Sequence, residues 1–324
     1  MSGDKTLALA ELAARSGDWA SLSKLWDADQ KDGARPEKWS RILAQCAQIG
    51  QDECCKELAS KMMGEWRQSA LLGDALLAAA KRGFWKTCRE LLGEGADASG
   101  AASEALIEAA RGGWEKAGQE LLEHGADPCA QNNAALKHAA KKGLGGLVRS
   151  LARHGAELNA NQGEPLVLAS RAGAVEAVLA LLEEGAFAAH GDSLALREAA
   201  KAGHATACHL LVEFGAKIGA KNNEALRLAV QEGKEKTIAT LLRDGANWDD
   251  KPAGGWAQTT REWAFDPGNE DERGAIFIRK LSDCEWDKDL FHRLVGGVPR
   301  LPELRQPTPA CAFVAPKPRA GMRM

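Results

Sequence analysis

Apolar and small residues recur along this chain with a period far longer than that of any single helix. Over the middle of the sequence the pattern reads apolar-x-x-small-x-x-x-Gly, then eight residues to an apolar pair, then Gly-Ala. Its glycines stand at Gly83, Gly113, Gly143, Gly173, Gly203 and Gly233, one every 30 residues. Residues 105–127 and 225–247 are the plainest copies. Within the latter, Leu226 and Ala229 share one face at i and i+3, so the spacing predicts a short helix that Gly233 ends. A second helix follows with Ile238, Leu241 and Leu242 on its buried side, and Gly245 closes it. Helices of roughly nine residues do not stand alone in water, so each unit must stack on its neighbours.

The N-terminal region keeps the pattern at a longer step. Gly17 follows Ala13 and precedes Leu25-Trp26; Gly50 follows Leu43 and Cys46 and precedes Leu58-Ala59; the interval from each to the next and on to Gly83 is 33 residues. The array therefore begins near residue 7 and holds eight clear units, with a degenerate ninth expected over 259–281, where Ala264 sits four residues before Gly268. The expected organisation is an all-α solenoid of helix-turn-helix units, eight or nine repeats, over 1–250. A Trp-rich cap or degenerate repeat, with Trp248, Trp256, Trp263 and Trp286 covering the open end, is expected over 251–294. The segment 295–324 is rich in proline and basic residues, has Glu303 as its one acid, and is expected to be disordered.

Several residues carry a resemblance to a known family. The Ala-x-x-Gly ends of the first helices, and the Leu-Leu-x-x-Gly-Ala-Asp elements at Leu91-Leu92 to Asp97 and Leu121-Leu122 to Asp127, resemble ankyrin repeats over about residues 7–250. Two departures stand out. The family's Thr-Pro-Leu-His opening is replaced by Glu104-Ala105-Leu106-Ile107 or Glu224-Ala225-Leu226-Arg227, and only Glu164-Pro165-Leu166 keeps the proline. The central repeats are also short, with Asn132-Asn133 and Asn222-Asn223 making a tight turn, which looks like the short-hairpin variant. The resemblance implies two antiparallel helices per unit, a concave groove faced by the ends of the first helices, and a protein-binding function.

Composition narrows the function classes. The 324 residues carry a formal charge of −3 and a pI near 6.2, which argues against a surface built throughout for nucleic acid or membrane. No apolar run approaches the ~18–20 residues that span a bilayer. The start of the chain lacks a basic-then-apolar leader pattern, so a cytoplasmic location is expected. Cys55, Cys88 and Cys208 fall where other units carry Leu22, Val148, Val178 or Ile238, a core position at which cysteine serves as a small apolar residue. Cys54-Cys55 with Cys46, and His204 with Cys208 at i,i+4, have the residue types for a metal but not the further ligands, so no metal or other cofactor is expected. No nucleophile and base are paired anywhere, and a catalytic site could only be sought near Asp266, Glu270, Asp271 and His292; the chain reads as a non-enzyme.

Two surface features are candidates for binding. Two residues before each repeat glycine stand Arg15, Gln48, Lys81, Arg111, Lys141, Arg171, Lys201 and Gln231, five of them consecutive cations. Stacked helices would set such rungs about 10 Å apart, near the Debye length, so an acidic ligand would feel several together. The alternative is that each cation serves its own helix, at the negative end of the dipole or in the i,i+3 pairs Glu108–Arg111 and Glu198–Lys201. Tryptophans give the second feature. Trp85 opens a second helix and Trp114 directly follows a repeat glycine; each is either an interface anchor or a cover over its neighbour's turn.

The reading these features support is a monomeric, non-catalytic scaffold that binds a partner protein on its concave surface and inhibits or sequesters it. The partner presents an acidic or mixed-charge surface to Lys81, Arg111, Lys141, Arg171 and Lys201, with Trp85 and Trp114 as anchors. Nucleic-acid binding along the same ladder is the second reading; the acidic total charge weighs against it.

Overall fold

A computed structural model describes residues 3–31, 33, 35–66, 69–97 and 100–247. The ninth repeat, the Trp-rich cap, the basic tail and the carboxylates near His292 all lie outside the described residues. So do the domain boundaries expected at 250 and 294.

The described residues form α-helices in antiparallel pairs, with no strand among them. The first helices are α1 (Gly3–Ser16), α3 (Pro36–Ile49), α5 (Gly73–Arg82), α7 (Ala101–Gly112), α9 (Ala130–Lys142), α11 (Ala160–Ala172), α13 (His190–Ala202) and α15 (Ala220–Gln231). Their partners are α2 (Trp19–Lys31), α4 (Asp52–Trp66), α6 (Trp85–Gly93), α8 (Glu115–Glu123), α10 (Gly145–Arg153), α12 (Val175–Glu183), α14 (Ala205–Glu213) and α16 (Glu235–Arg243). First helices stack on first helices and second on second, which makes the two layers of a solenoid.

The buried side chains follow the period. Leu43, Leu76, Leu106, Leu136, Leu166, Leu196 and Leu226 form one unbroken seam through the first layer. Cys55, Cys88, Val148, Val178, Cys208 and Ile238 form the matching seam in the second, so the three cysteines are core residues. Gly118 takes that position in its own unit, and Leu147 fills the space, since a Cβ on Gly118 would meet it at 2.7 Å. Of the leucine pair near the end, Leu241 is fully buried and Leu242 half-buried. Near the N-terminus the core is built from larger rings, with Trp26 and Trp39 edge to face at 4.8 Å.

The tight turns between units are left-handed. Gln131, Asn132 and Asn133 hold φ of 50°, 60° and 57° before α9 becomes right-handed, and Asn161, Gln162 and Gly163 repeat this before Pro165. Asparagine tolerates this region better than most residues. Pro165 then falls in the first right-handed turn, where its missing N–H is no loss.

The starts of the first helices, left-handed at Asn133 and Ser193 and regular at Ser103, also present a buried acceptor to the next unit. Ser103 Oγ, Asn133 Oδ1 and Ser193 Oγ accept the backbone N–H of Asp127, Glu157 and Lys217 at 3.0, 3.1 and 2.8 Å. Each acceptor lies 24 residues before its donor, and the three are separated by whole multiples of the 30-residue period. The same register holds Gly163, which has no side chain. There Asn159 Oδ1 accepts from Phe187 N–H at 2.8 Å instead.

Candidate interaction edge

Every first helix turns into its partner through a glycine with positive φ, and the five cations stand in the last turn before it. Lys81, Arg111, Lys141, Arg171 and Lys201 are all exposed, as are Arg15, Gln48 and Gln231 in the same register. Because the pairs stack in order, these side chains line one edge of the array. Arg111 pairs with Glu108 on its own helix at 2.9 Å. Glu198 does not pair with Lys201; it turns back to Arg171 of the preceding unit at 3.4 Å. Among the described residues Lys81, Lys141 and Lys201 form no ion pair. The edge is therefore a mixture: two arginines balanced by local carboxylates and three lysines that are not.

Its field is registered by a neighbour. His138, on α9, is held below the usual histidine pKa, first by burial and then by Arg111 and Lys141, with Glu108 opposing them. Other first-helix charges join successive units away from the rungs, Lys137 to Glu164 at 2.9 Å and Arg197 to Glu224 at 2.7 Å.

Trp114 serves its neighbour's turn and stays accessible. Its indole N–H donates to the Lys81 carbonyl at 3.1 Å, and a Cβ on Gly83 would come within 2.4 Å of its ring. It nevertheless remains 43% exposed. The arrangement recurs along the edge: Phe84 lies over Gly50, His204 over Gly173 and the Lys234 stem over Gly203. A His204 ring nitrogen faces the Arg171 carbonyl at 3.2 Å, so this histidine is committed to the preceding unit while Cys208 is buried in the core. Trp85 is placed differently. It is half-buried, with Lys86 Nζ at 5.7 Å, Arg89 Cζ at 5.1 Å and Lys116 Nζ at 5.7 Å from its ring centroid.

Burial dominates the cysteine chemistry. Desolvation pushes the Cys88 and Cys208 thiols up to about 12 and the Cys54 thiol up to about 11. Cys46 and Cys55 face one another between α3 and α4; their mutual hydrogen bond lowers the first and raises the second. No group of three or more His, Cys, Asp or Glu among the described residues is arranged to hold a metal.

A family model for ankyrin repeats in three copies matches residues 75–162 and 166–251, more than half of the chain. The chain belongs to the ankyrin-repeat family. Among solved structures, the ankyrin-repeat domain of human ASB11 superposes with a TM-score of 0.51 at 21% identity, covering 62% of this chain and 96% of that one. That likeness concerns the fold. No curated protein matches the chain. Ankyrin repeats are in general protein–protein interaction modules and typically not enzymes. Among the described residues no helix is long and apolar enough to cross a membrane.

Two features of this ankyrin array were not anticipated from sequence: the buried acceptor series and the cations around Trp85. The first had a signal, since Ser103, Asn133, Ser193 and Asn223 align in one column of the period. The second had a weaker one, because Arg89 is i+4 from Trp85 but Lys116 reaches it only across a repeat boundary.

Proposed function

We propose that this ankyrin-repeat chain is a non-catalytic scaffold that holds a partner protein against Lys81, Arg111, Lys141, Arg171 and Lys201, with Trp85 and Trp114 as anchors. The observation that carries the reading is the exposure of all five consecutive rungs, three of them lysines without a carboxylate partner among the described residues. A regular array is ordered before it binds, so little conformational entropy is lost on association. The partner presents an acidic or mixed-charge surface on the concave side, and covering it inhibits or sequesters it. In this reading the chain acts as a cytoplasmic monomer and needs no cofactor.

The test is affinity capture from lysate, with and without nuclease, using the native chain beside a variant carrying Lys81, Arg111, Lys141, Arg171 and Lys201→Glu. A protein held by the native chain after nuclease and lost by the variant supports the scaffold. Capture that vanishes with nuclease transfers the ladder to nucleic acid, whose binding would also fall steeply with salt. Equal capture by both chains reduces the ladder to helix-end charge.

A further inference from the structure

Three cations gather around the Trp85 ring. Lys86 and Arg89 come from α6 and Lys116 from α8 of the next unit, and all three heads are exposed. Among the described residues none of the three forms an ion pair. Among the neighbouring carboxylates, Glu90 pairs with Lys56 at 3.7 Å, Asp52 accepts from the Thr87 hydroxyl, and the Glu115 carboxylate lies over Gly146 of the following unit. Trp19, in the same register two units earlier, is the internal comparison. Its single cation Lys61 is 5.6 Å from the ring and is balanced by Asp27 at 3.0 Å. At Trp85 the ring supports like charges that repel one another, and a cation–π contact at an exposed site is too weak to offset much of that repulsion. An incoming anion would relieve that repulsion.

We propose that the Trp85 patch is where this chain receives a short acidic segment of its protein partner, carboxylates meeting Lys86, Arg89 and Lys116 beside the indole. The proposal rests on the protein-binding reading above and gives it a place and a chemistry. The flanking register explains why the ligand is a short cluster of carboxylates and not a continuous polyanion. The residues equivalent to Trp85-Lys86 are Asp52-Glu53 in the unit before and, beyond Glu115-Lys116 of the next unit, Gly145-Gly146 and Val175-Glu176. A nucleic-acid strand following the edge would leave the patch to meet acids on one side and uncharged or acidic positions on the other. A discrete acidic segment ends before it reaches them.

The experiment uses the full chain and a fluorescein-labelled octaglutamate peptide, read by anisotropy, with labelled octaglutamine and an eight-nucleotide oligothymidylate as comparison probes. Three charge-reversal variants are compared, each checked by far-UV circular dichroism: Lys86→Glu/Arg89→Glu/Lys116→Glu, an exposed control Lys24→Glu/Lys31→Glu/Lys236→Glu, and the ladder variant Lys81→Glu/Lys141→Glu/Lys201→Glu. Octaglutamate is expected to bind the native chain in preference to both other probes. The patch variant should weaken it at least tenfold, the control variant by less than twofold, and Trp85→Ala severalfold. Equal weakening by the patch and control variants overturns the proposal, as does a native chain that cannot tell octaglutamate from octaglutamine. Tighter binding of the oligonucleotide, lost in the patch variant, would assign the patch to nucleic acid. If the ladder variant loses the peptide and the patch variant keeps it, this proposal falls while the protein-binding reading stands.

Discussion

Asn133→Ala isolates the feature that ties one unit to the next. Asn133 is 2% exposed, sits at φ 57°, and accepts the Glu157 N–H through Oδ1 at 3.1 Å. Alanine removes the acceptor and leaves that amide without a partner, at about 1–3 kcal/mol. It also places an ordinary side chain in the left-handed region, at about 1 kcal/mol or slightly more. The two terms together give about 2–4 kcal/mol. Glycine and serine separate them: Asn133→Gly keeps the backbone and loses only the bond, whereas Asn133→Ser keeps an acceptor, as Ser193 does at φ 59°. The expected order of destabilisation is Ala, then Gly, then Ser. Urea titration followed at 222 nm supplies the energies, and hydrogen exchange at the Glu157 amide locates them. In a solenoid the weakened interface should also broaden or split the transition, because each unit is held only by its neighbours. A native-like midpoint for Asn133→Ala, within about 0.5 kcal/mol and with unchanged Glu157 exchange, would refute the reasoning. The chain carries its own control at Gly163: there Asn159→Ala should cost about 0.5–1.5 kcal/mol, and adding Gly163→Asn should recover part of it.

Gly83→Ala should cost more than Gly113→Ala although both glycines have positive φ (78° and 88°), because a Cβ at Gly83 meets the Trp114 ring at 2.4 Å and one at Gly113 meets nothing within 4 Å. Thermal unfolding should show roughly 1–2 kcal/mol for the second and at least 1 kcal/mol beyond that for the first; equal losses would mean that Trp114 swings away freely. His138 has a folded pKa below its unfolded value, so the unfolded chain takes up the proton first as pH falls. Its contribution to stability is present above the unfolded pKa near 6.5 and declines as pH drops through that value toward the folded pKa. The urea midpoint of the native chain should fall faster than that of His138→Gln across this window, and parallel curves would remove His138 as the cause.

The scaffold was legible in the sequence because its determinants are local and repeated. Gly83 to Gly233 mark one helix end per unit, and the leucines seven residues before them mark one buried face, so a single reading of the period sets every unit at once. The cysteine placements followed from that register alone. What the period could not convey was how one unit meets the next. Whether Glu198 would turn to Lys201 or to Arg171 depends on the offset between stacked helices, and an i,i+3 rule sees only its own helix. The Asn132-Asn133 turn was expected, but its use of the Asn133 amide as a buried acceptor for the following unit depends on the same offset. The Trp85 cluster failed to announce itself for that reason too, since Lys116 lies 31 residues away in the chain.

In the proposed binding mode, that offset also decides which rungs of the ladder would have affinity to offer. An arginine already held by Glu108 or Glu198 must exchange one carboxylate for another when an acidic partner arrives, so its net gain is small. Lys81, Lys141 and Lys201 would exchange only water, and the proposed mode gives them the larger contribution. Trp114 bears on the first of these directly, because its N–H fixes the Lys81 carbonyl and hence the backbone from which that lysine extends. Lys201 lacks an equivalent ring: the residue over its unit's Gly203 is the aliphatic stem of Lys234. The most pre-organised unpaired cation on the edge is thus Lys81, four residues from Trp85. The unpaired Lys81 rung and the cations around the Trp85 indole thus fall in or beside the same unit, which is where the proposed anion binding would be strongest.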